Sequence, residues 1–438
     1  MRKNKKLIVI SIDAMVTKDI EYARNLPNFK RIIDGAAMIP SVDTIYPTLT
    51  HPIHATLISG APAGVTGVTN NLIFDKNDPV ANKVWLNDLS QIRCDTLIHA
   101  AKRAGLTIAT STWPMTTYGQ EYIDYLIPNA LDFYFEGYED DPLSAYRALG
   151  ANDSVIDIIG SGIEKYGFAD RHPEVDFFQF HCATEIIRRY QPDLLLMHPG
   201  NVDAARHKGG VWGEGVLKAL TDVDAMLGSL LSVLEETDLI DSTDIVLLSD
   251  HGQIGSTRGA AVNVYLKKKG YITVAEDGSV KDWKAFVKSA GASAHVYLND
   301  PCDKTLYSEI YSLLSDMARE GIYGFDAVYT DLEAREKFSL YGDFSFVLEG
   351  DGFTYFTEHF SEPAMRRYDY GDYSVGHGKH GHLPTKGPQP IFIGKGPSFK
   401  SGALIERGNI LNHAPTLAKV LGVEIFDSVG IAEESILN

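Results

Sequence analysis

Leu7-Ile-Val-Ile-Ser-Ile-Asp13 is a run of aliphatic, mostly β-branched residues closed by a carboxylate. A half-buried strand alternates apolar and polar side chains, whereas a run apolar at nearly every position belongs to a strand covered on both faces. Similar runs recur at Thr107-Ile-Ala-Thr-Ser111, Leu194-Leu-Leu-Met-His198, Ile245-Val-Leu-Leu248 and Pro390-Ile-Phe-Ile-Gly394. Helical periodicity fills segments between them, at 95–104 and 214–237. Strand and helix in alternation predict an α/β fold with a mainly parallel central sheet flanked by helices.

Between residues 263 and 370 the pattern changes. Val264-Tyr-Leu-Lys-Lys-Lys-Gly-Tyr-Ile272, Ala294-His-Val-Tyr-Leu298 and Phe344-Ser-Phe-Val-Leu348 read as strands, 305–320 as an amphipathic helix, and Phe353-Thr-Tyr-Phe356 as an aromatic piece after them. We therefore expect a main domain from 1–262 and 371–438, with a smaller α+β insertion or cap at 263–370. A chain of 438 residues has room for both.

An apolar content of 44% and a charged content of 22% are those of a globular protein. The net charge of −18 argues against a nucleic-acid scaffold or an anionic membrane as partner. It would also repel a phosphate unless cations in the site reverse the local field. Three scattered cysteines make no disulfide framework. The basic start Met1-Arg-Lys-Asn-Lys-Lys6 precedes an apolar run too short for a signal core, and no run reaches membrane-spanning length. The sequence predicts a soluble cytoplasmic protein and leaves homo-oligomerisation open.

Ligands in open α/β sheets bind beyond the carboxyl ends of the strands. Asp13 follows one strand there, Ser249-Asp-His-Gly252 a second and His198-Pro-Gly-Asn-Val-Asp203 a third. Asp203 and His207 are four apart, on one face if helical. Gly376-His-Gly-Lys-His-Gly-His382 adds three histidines. Each element alone has an ordinary explanation as a surface pair, a turn or a flexible loop. Together they place carboxylates and imidazoles on one rim, a donor set suited to two Zn²⁺, or Mn²⁺, with positions left open for substrate.

Tyr46-Pro-Thr-Leu-Thr-His-Pro-Ile-His-Ala-Thr-Leu-Ile-Ser-Gly60 supplies the remaining element. Pro52 suits the first turn of a helix, which puts Thr50 at the expected N-cap, beside backbone donors that attract an anion. A hydroxyl so placed is either a plain cap or a nucleophile.

The order and spacing of Ile10-Ser-Ile-Asp13, Pro47-Thr-Leu-Thr-His-Pro-Ile-His54, Gly67-Val-Thr-Asn-Asn71, Asp203…His207, Ser249-Asp-His-Gly252 and His380-Gly381 resemble the alkaline phosphatase superfamily, in particular its nucleotide pyrophosphatase/phosphodiesterase branch. The resemblance covers the main domain and implies an alkaline phosphatase-like fold. It implies Thr50 as a metal-activated nucleophile forming a phosphothreonine. Asp13, Asp250 and His251 would hold the ion that binds Thr50, and Asp203, His207 and His380 the other. Asn71 and the Thr50 N–H would donate to a phosphoryl oxygen. His380 is preferred to His377 and His382 because it precedes Gly381 and lies at a suitable distance before the Pro390 strand.

The chain departs from that branch at Leu49, commonly Lys, at Ile53, commonly Asn, and at His382-Leu-Pro-Thr385, commonly aromatic-Asp-Asn. Trp113-Pro114 resembles an element of the branch and equally suits a buried Trp at the sheet edge. The Tyr/Phe-rich stretch 118–138 suits lid packing or stacking on a nucleobase. His54 reads as a histidine satisfied behind the site. The expected activity is hydrolysis of a small phosphodiester or nucleotide. A phosphonoacetate-type phosphonate hydrolase and a phosphomonoesterase are the alternatives. No Arg lies beside Thr50 or Asn71 in the sequence, which leans towards diesters. A non-catalytic anion-binding relative would be expected to lack some of these residues.

Overall fold

The first strand, β1 (Lys6–Ser11), is buried along its whole length. In this computed structural model residues 5–80, 85–129, 137–138, 140–167, 171–367 and 377–438 are described. β1 is followed by β2 (Ala37–Ile39), helix α1 (Thr50–Ser59), β3 (Ile108–Ser111), β4 (Tyr125–Ile127) and β5 (Leu194–Met197). Helix α2 (Asn201–Gly209), β6 (Thr243–Leu248) and β7 (Phe392–Lys395) complete the frame. The seven strands lie in the order β2-β7-β6-β1-β5-β3-β4. β6, β1, β5, β3 and β4 pair in parallel, and β7 alone runs antiparallel to both its neighbours.

The continuous apolar runs thus form the predicted sheet, with one difference. The Pro390 run enters antiparallel because the chain returns from the rim that carries His380, and a strand started there must run away from it.

Alternate residues of each strand feed opposite cores. Leu7, Val9, Leu194 and Leu196 pack with α1 and helix His413–Leu421. Ile8, Ile10, Leu195 and Met197 pack with helices Asp153–Tyr166, Glu174–Tyr190 and Glu214–Glu236. Burying an apolar side chain of this size contributes about 1.5–3 kcal/mol. Slipping β1 by one residue would exchange every partner across the two faces.

Within 263–367 the strands Ala285–Ala290, Ser293–Leu298, Phe346–Gly350 and Phe325–Thr330 form an antiparallel sheet in that order, backed by helix Lys304–Glu320. The segment expected as a strand from Val264 is instead helix Val262–Lys268, followed by strand Ile272–Val274. Two lysines in its last turn suit the negative helix end. The buried Asn263 donates through Nδ2 to the Val287 carbonyl (2.9 Å) and accepts from its N–H (2.8 Å), so its amide occupies the edge of the sheet. The boundary expected at 370/371, residues 130–136 of the aromatic stretch and Gly376 lie outside the described residues.

Candidate metal centre

Three adjacent strands, β6, β1 and β5, end in register, pairing Ser11 with Leu248 and Ile10 with Met197. Asp13 and Asp250 therefore emerge side by side, each two residues past its strand. Asp203 comes from the first turn of α2, just beyond β5, with His207 on the same face. His207 Nε2 stands 3.1 Å from Asp203 Oδ2.

His251 is the hub. Its Nε2 lies 3.3 Å from Thr50 Oγ1, 3.3 Å from Asp250 Oδ2 and 3.6 Å from Asp13 Oδ1. Its ring stacks on that of His380 at 4.1 Å, and the His380 ring lies 5.1 Å from His207.

The helix begins at Thr50 with Leu49 in the cap position, and no side chain caps it. The Thr50 hydroxyl is turned to His251 instead, which corrects the expected N-cap. Asn71 Oδ1 accepts the N–H of His51 at 2.9 Å, leaving its amide nitrogen to donate elsewhere.

Of the loop histidines, His380 joins Asp203 and His207, its Nε2 being 4.0 Å from Asp203 Oδ1. His380 is held by Nδ1 against the Thr48 carbonyl (2.9 Å), and His207 by Nδ1 against that of Gly378 (2.8 Å). Each leaves Nε2 for a ligand. His377 instead faces the His207 carbonyl at 2.5 Å, and His382 the carbonyl of Leu383 at 2.8 Å. Gly381 has φ +97°, and a Cβ there would lie 1.9 Å from the Ala290 carbonyl oxygen, so only glycine lets the loop approach so closely.

Two clusters of donor atoms emerge: Asp203, His207 and His380, and Asp13, Asp203 and His251. The first matches the expected grouping. The second brings Asp203 within reach of both, with Asp250 touching it through His251.

The electrostatics fit divalent cations. Asp13 Oδ1 and Asp250 Oδ2 are buried without a hydrogen-bond partner. Burial, then the charges of Asp203 and Asp250, push the Asp13 carboxyl well above the ordinary range. Burial, with Asp203 adding, pushes Asp250 up to about 7. Burial holds His251 far below its usual value and takes His380 down to about 4, so both present neutral nitrogens. Buried carboxylates deprived of water and hydrogen bonds are costly, and a dication bound between neutral imidazoles offsets that cost.

His54 is satisfied behind the site, as expected: Nδ1 meets the Thr50 carbonyl at 2.7 Å and Nε2 the Ser11 hydroxyl at 3.0 Å. Trp113 is fully buried, edge-on to His54 at 4.9 Å, which agrees with the packing reading. Several residues escaped the sequence reading. His198 Nε2 lies 3.2 Å from Asp13 Oδ2, and Gln253 donates to the Asp203 carboxylate. Arg206 is fully buried; it donates to the Ala14 carbonyl (3.2 Å) and pairs with Asp19 (2.5 Å), tying α2 to the turn that carries Asp13. No periodicity marks it, because it lies between Asp203 and His207 on a mixed helix.

A cavity of about 420 Å³ opens beside the cluster, lined by Leu49, Asn71, Trp85, Tyr355 and Lys379 among others. Where the resemblance expects a lysine, Leu49 is apolar; the ammonium group in this cavity is that of Lys379.

An α/β sheet here gathers carboxylates, imidazoles and a helix-start hydroxyl on one rim. The family described as Type I phosphodiesterase / nucleotide pyrophosphatase matches residues 7–381, and the chain belongs to it.

Among its relatives, human ectonucleotide pyrophosphatase/phosphodiesterase family member 5 is 23% identical over 279 residues, 61% of this chain and 50% of its own length. Ectonucleotide pyrophosphatase/phosphodiesterase 1 of Saccharomyces cerevisiae is 26% identical over 279 residues, 56% of this chain and 33% of its own. The chain spans half or less of the length of these two relatives. An inactive variant of murine ectonucleotide pyrophosphatase/phosphodiesterase 5, solved in complex with AMP, shares the fold at a TM-score of 0.69 and 20% identity, covering 99% of this chain and 100% of that one. No helix among the described residues is long and apolar enough to cross a membrane.

Proposed function

We propose that the protein is a two-metal-dependent phosphodiesterase/nucleotide pyrophosphatase with Thr50 as nucleophile and a phosphothreonine intermediate. One observation carries the reading: His251 Nε2 meets both the Thr50 hydroxyl and the unpartnered oxygens of Asp13 and Asp250 at the carboxyl rim of the sheet. Thr50, Asp13, Asp250 and His251 would hold one cation and Asp203, His207 and His380 the other, with Asp203 close enough to serve both. Carboxylate and imidazole donors suit zinc, with manganese second. When bound, such a pair lowers the pKa of a hydroxyl or water and neutralises phosphoryl charge.

The chain's own residues do the rest. The start of α1 fixes the Thr50 hydroxyl beside His251, so its oxygen is aimed before substrate arrives. Asn71, anchored through Oδ1, donates its amide hydrogens to a non-bridging oxygen together with the Thr50 N–H. Thr50 oxygen bonds to phosphorus as the ester oxygen leaves; water then cleaves the phosphothreonine and restores the hydroxyl. Residues 1–262 and 371–438 form the catalytic domain in this reading and 263–370 the cap, which is supported by Ala290, Gly291 and Tyr355 lining the cavity.

Thr50→Ala tests the assignment. Hydrolysis of bis-p-nitrophenyl phosphate is expected to fall by on the order of 10³-fold or more, at unchanged metal content. Near wild-type turnover in that variant overturns it.

A further inference from the structure

The cavity beside the metal residues contains one ammonium group to which the mechanism above gives no task. Lys379 ends the short strand His377–Lys379, between Gly378, which anchors His207, and His380. Its Nζ lies 4.6 Å from the centroid of the Tyr355 ring. Among the described residues it has no hydrogen bond or ion pair with the protein. The acidic residue of the same wall is already engaged: Glu358 meets Lys288 Nζ at 3.1 Å and accepts the Ser289 N–H at 3.0 Å. A half-buried ammonium facing a cavity, with an aromatic face beside it and the Asp203 carboxylate acting only from beyond ion-pair distance, is placed for the charge of a ligand.

Position says which part of the ligand. From Thr50 the site runs to His251 at 3.3 Å, to His380 stacked on it, and to His207 beyond; Lys379 flanks His207 and His380 in the cavity. In an in-line displacement the leaving group departs on the side away from the attacking oxygen. A cation on that side meets whatever charge the leaving group carries.

We propose that Lys379 is a specificity-determining residue that favours phosphoanhydrides, whose leaving group is itself a phosphate, over simple phosphodiesters. This rests on the two-metal hydrolase reading and adds the residue that selects among leaving groups. Overall one water is consumed. Its oxygen ends on the attacked phosphorus, the bond from that phosphorus to the bridging oxygen breaks, the bridging oxygen leaves with the terminal phosphates, and one proton is released. A lysine serves here as a compact point charge with three donors, and the Tyr355 ring limits its wandering.

The test compares thymidine triphosphate, which leaves pyrophosphate, with the p-nitrophenyl ester of thymidine 5′-monophosphate, which leaves nitrophenolate. In Lys379→Met the ratio of kcat/KM, triphosphate over ester, is expected to fall roughly 30-fold, as loss of a hydrogen bond to a charged group implies. Lys379→Arg should restore most of it. Calorimetric affinity for inorganic pyrophosphate should fall at least about tenfold in the same variant, independently of turnover. If Lys379→Met loses metal through its neighbour His380, Lys379→Gln against Lys379→Arg decides in the same way. A ratio that ignores the charge at 379, or a wild type that hydrolyses the ester but not the triphosphate, overturns this proposal alone. Turnover that survives Thr50→Ala overturns the broader reading and this one with it.

Discussion

The two halves of the site handle buried charge in opposite ways. Asp203 has company: burial opposes its ionisation, yet His207, whose own pKa Asp203 raises, holds the carboxyl well below the usual range by charge and hydrogen bond, and Gln253 donates to it. Asp13 and Asp250 have none that is charged. Their neighbours His198 and His251 are kept neutral by burial, His198 at about 4, and both carboxyls are pushed upward. One half is balanced by the protein itself, whereas the other is balanced only when a cation is bound.

The largest effect that could break this comparison is Asp250→Asn. It should abolish activity by on the order of 10³-fold and remove one metal equivalent, because no other residue compensates that half. His207→Ala should cost less, on the order of 10²-fold, since Asp203 and His380 remain; equal losses measured by kcat and metal analysis would erase the distinction. Arg206 holds the halves together, so Arg206→Met strands Asp19 in the core and should lower stability by about 3–5 kcal/mol in urea unfolding. Adding Asp19→Asn should recover part of that loss.

The smallest effect is a pH dependence of opposite sign in the two halves. In the metal-free protein Asp250 keeps its proton up to about 7, whereas an unfolded Asp loses it near 4. Between these values the folded state binds more protons, so stability falls as pH rises, by at most about 1.4 kcal/mol per pH unit. Asp203, whose value is depressed, contributes stability above the unfolded value and loses it only at lower pH. Buried neutral histidines such as His198, His251 and His380 pull the other way, so the Asp250 contribution is read by difference: the Tm of Asp250→Asn minus that of wild type, both chelated, should rise from pH 5 to 7. A difference that stays flat or falls over this interval contradicts the picture.

Much of the site was legible because its residues sit at strand ends and at helical spacing. Asp13, Asp250, Asp203 and His207 could be placed on one rim from period and position alone, since a buried parallel strand announces itself by composition. Arg206, Gln253, His198 and Lys379 could not, because each acts through a partner far away in the chain. The stretch 264–272 reads as a strand in the sequence because a short segment of apolar residues fits either state until Asn263 and its neighbours find their packing, which makes helix Val262–Lys268.

By itself the sequence determined the layered α/β architecture and the residue types brought to its rim, since local periodicity and chain order set both. Tertiary structure alone decided that Thr50 turns from capping to His251, that Asp203 reaches both clusters and that an unpaired ammonium faces the cavity. Those facts depend on distances between segments remote in sequence, and on the withdrawal of water from between them.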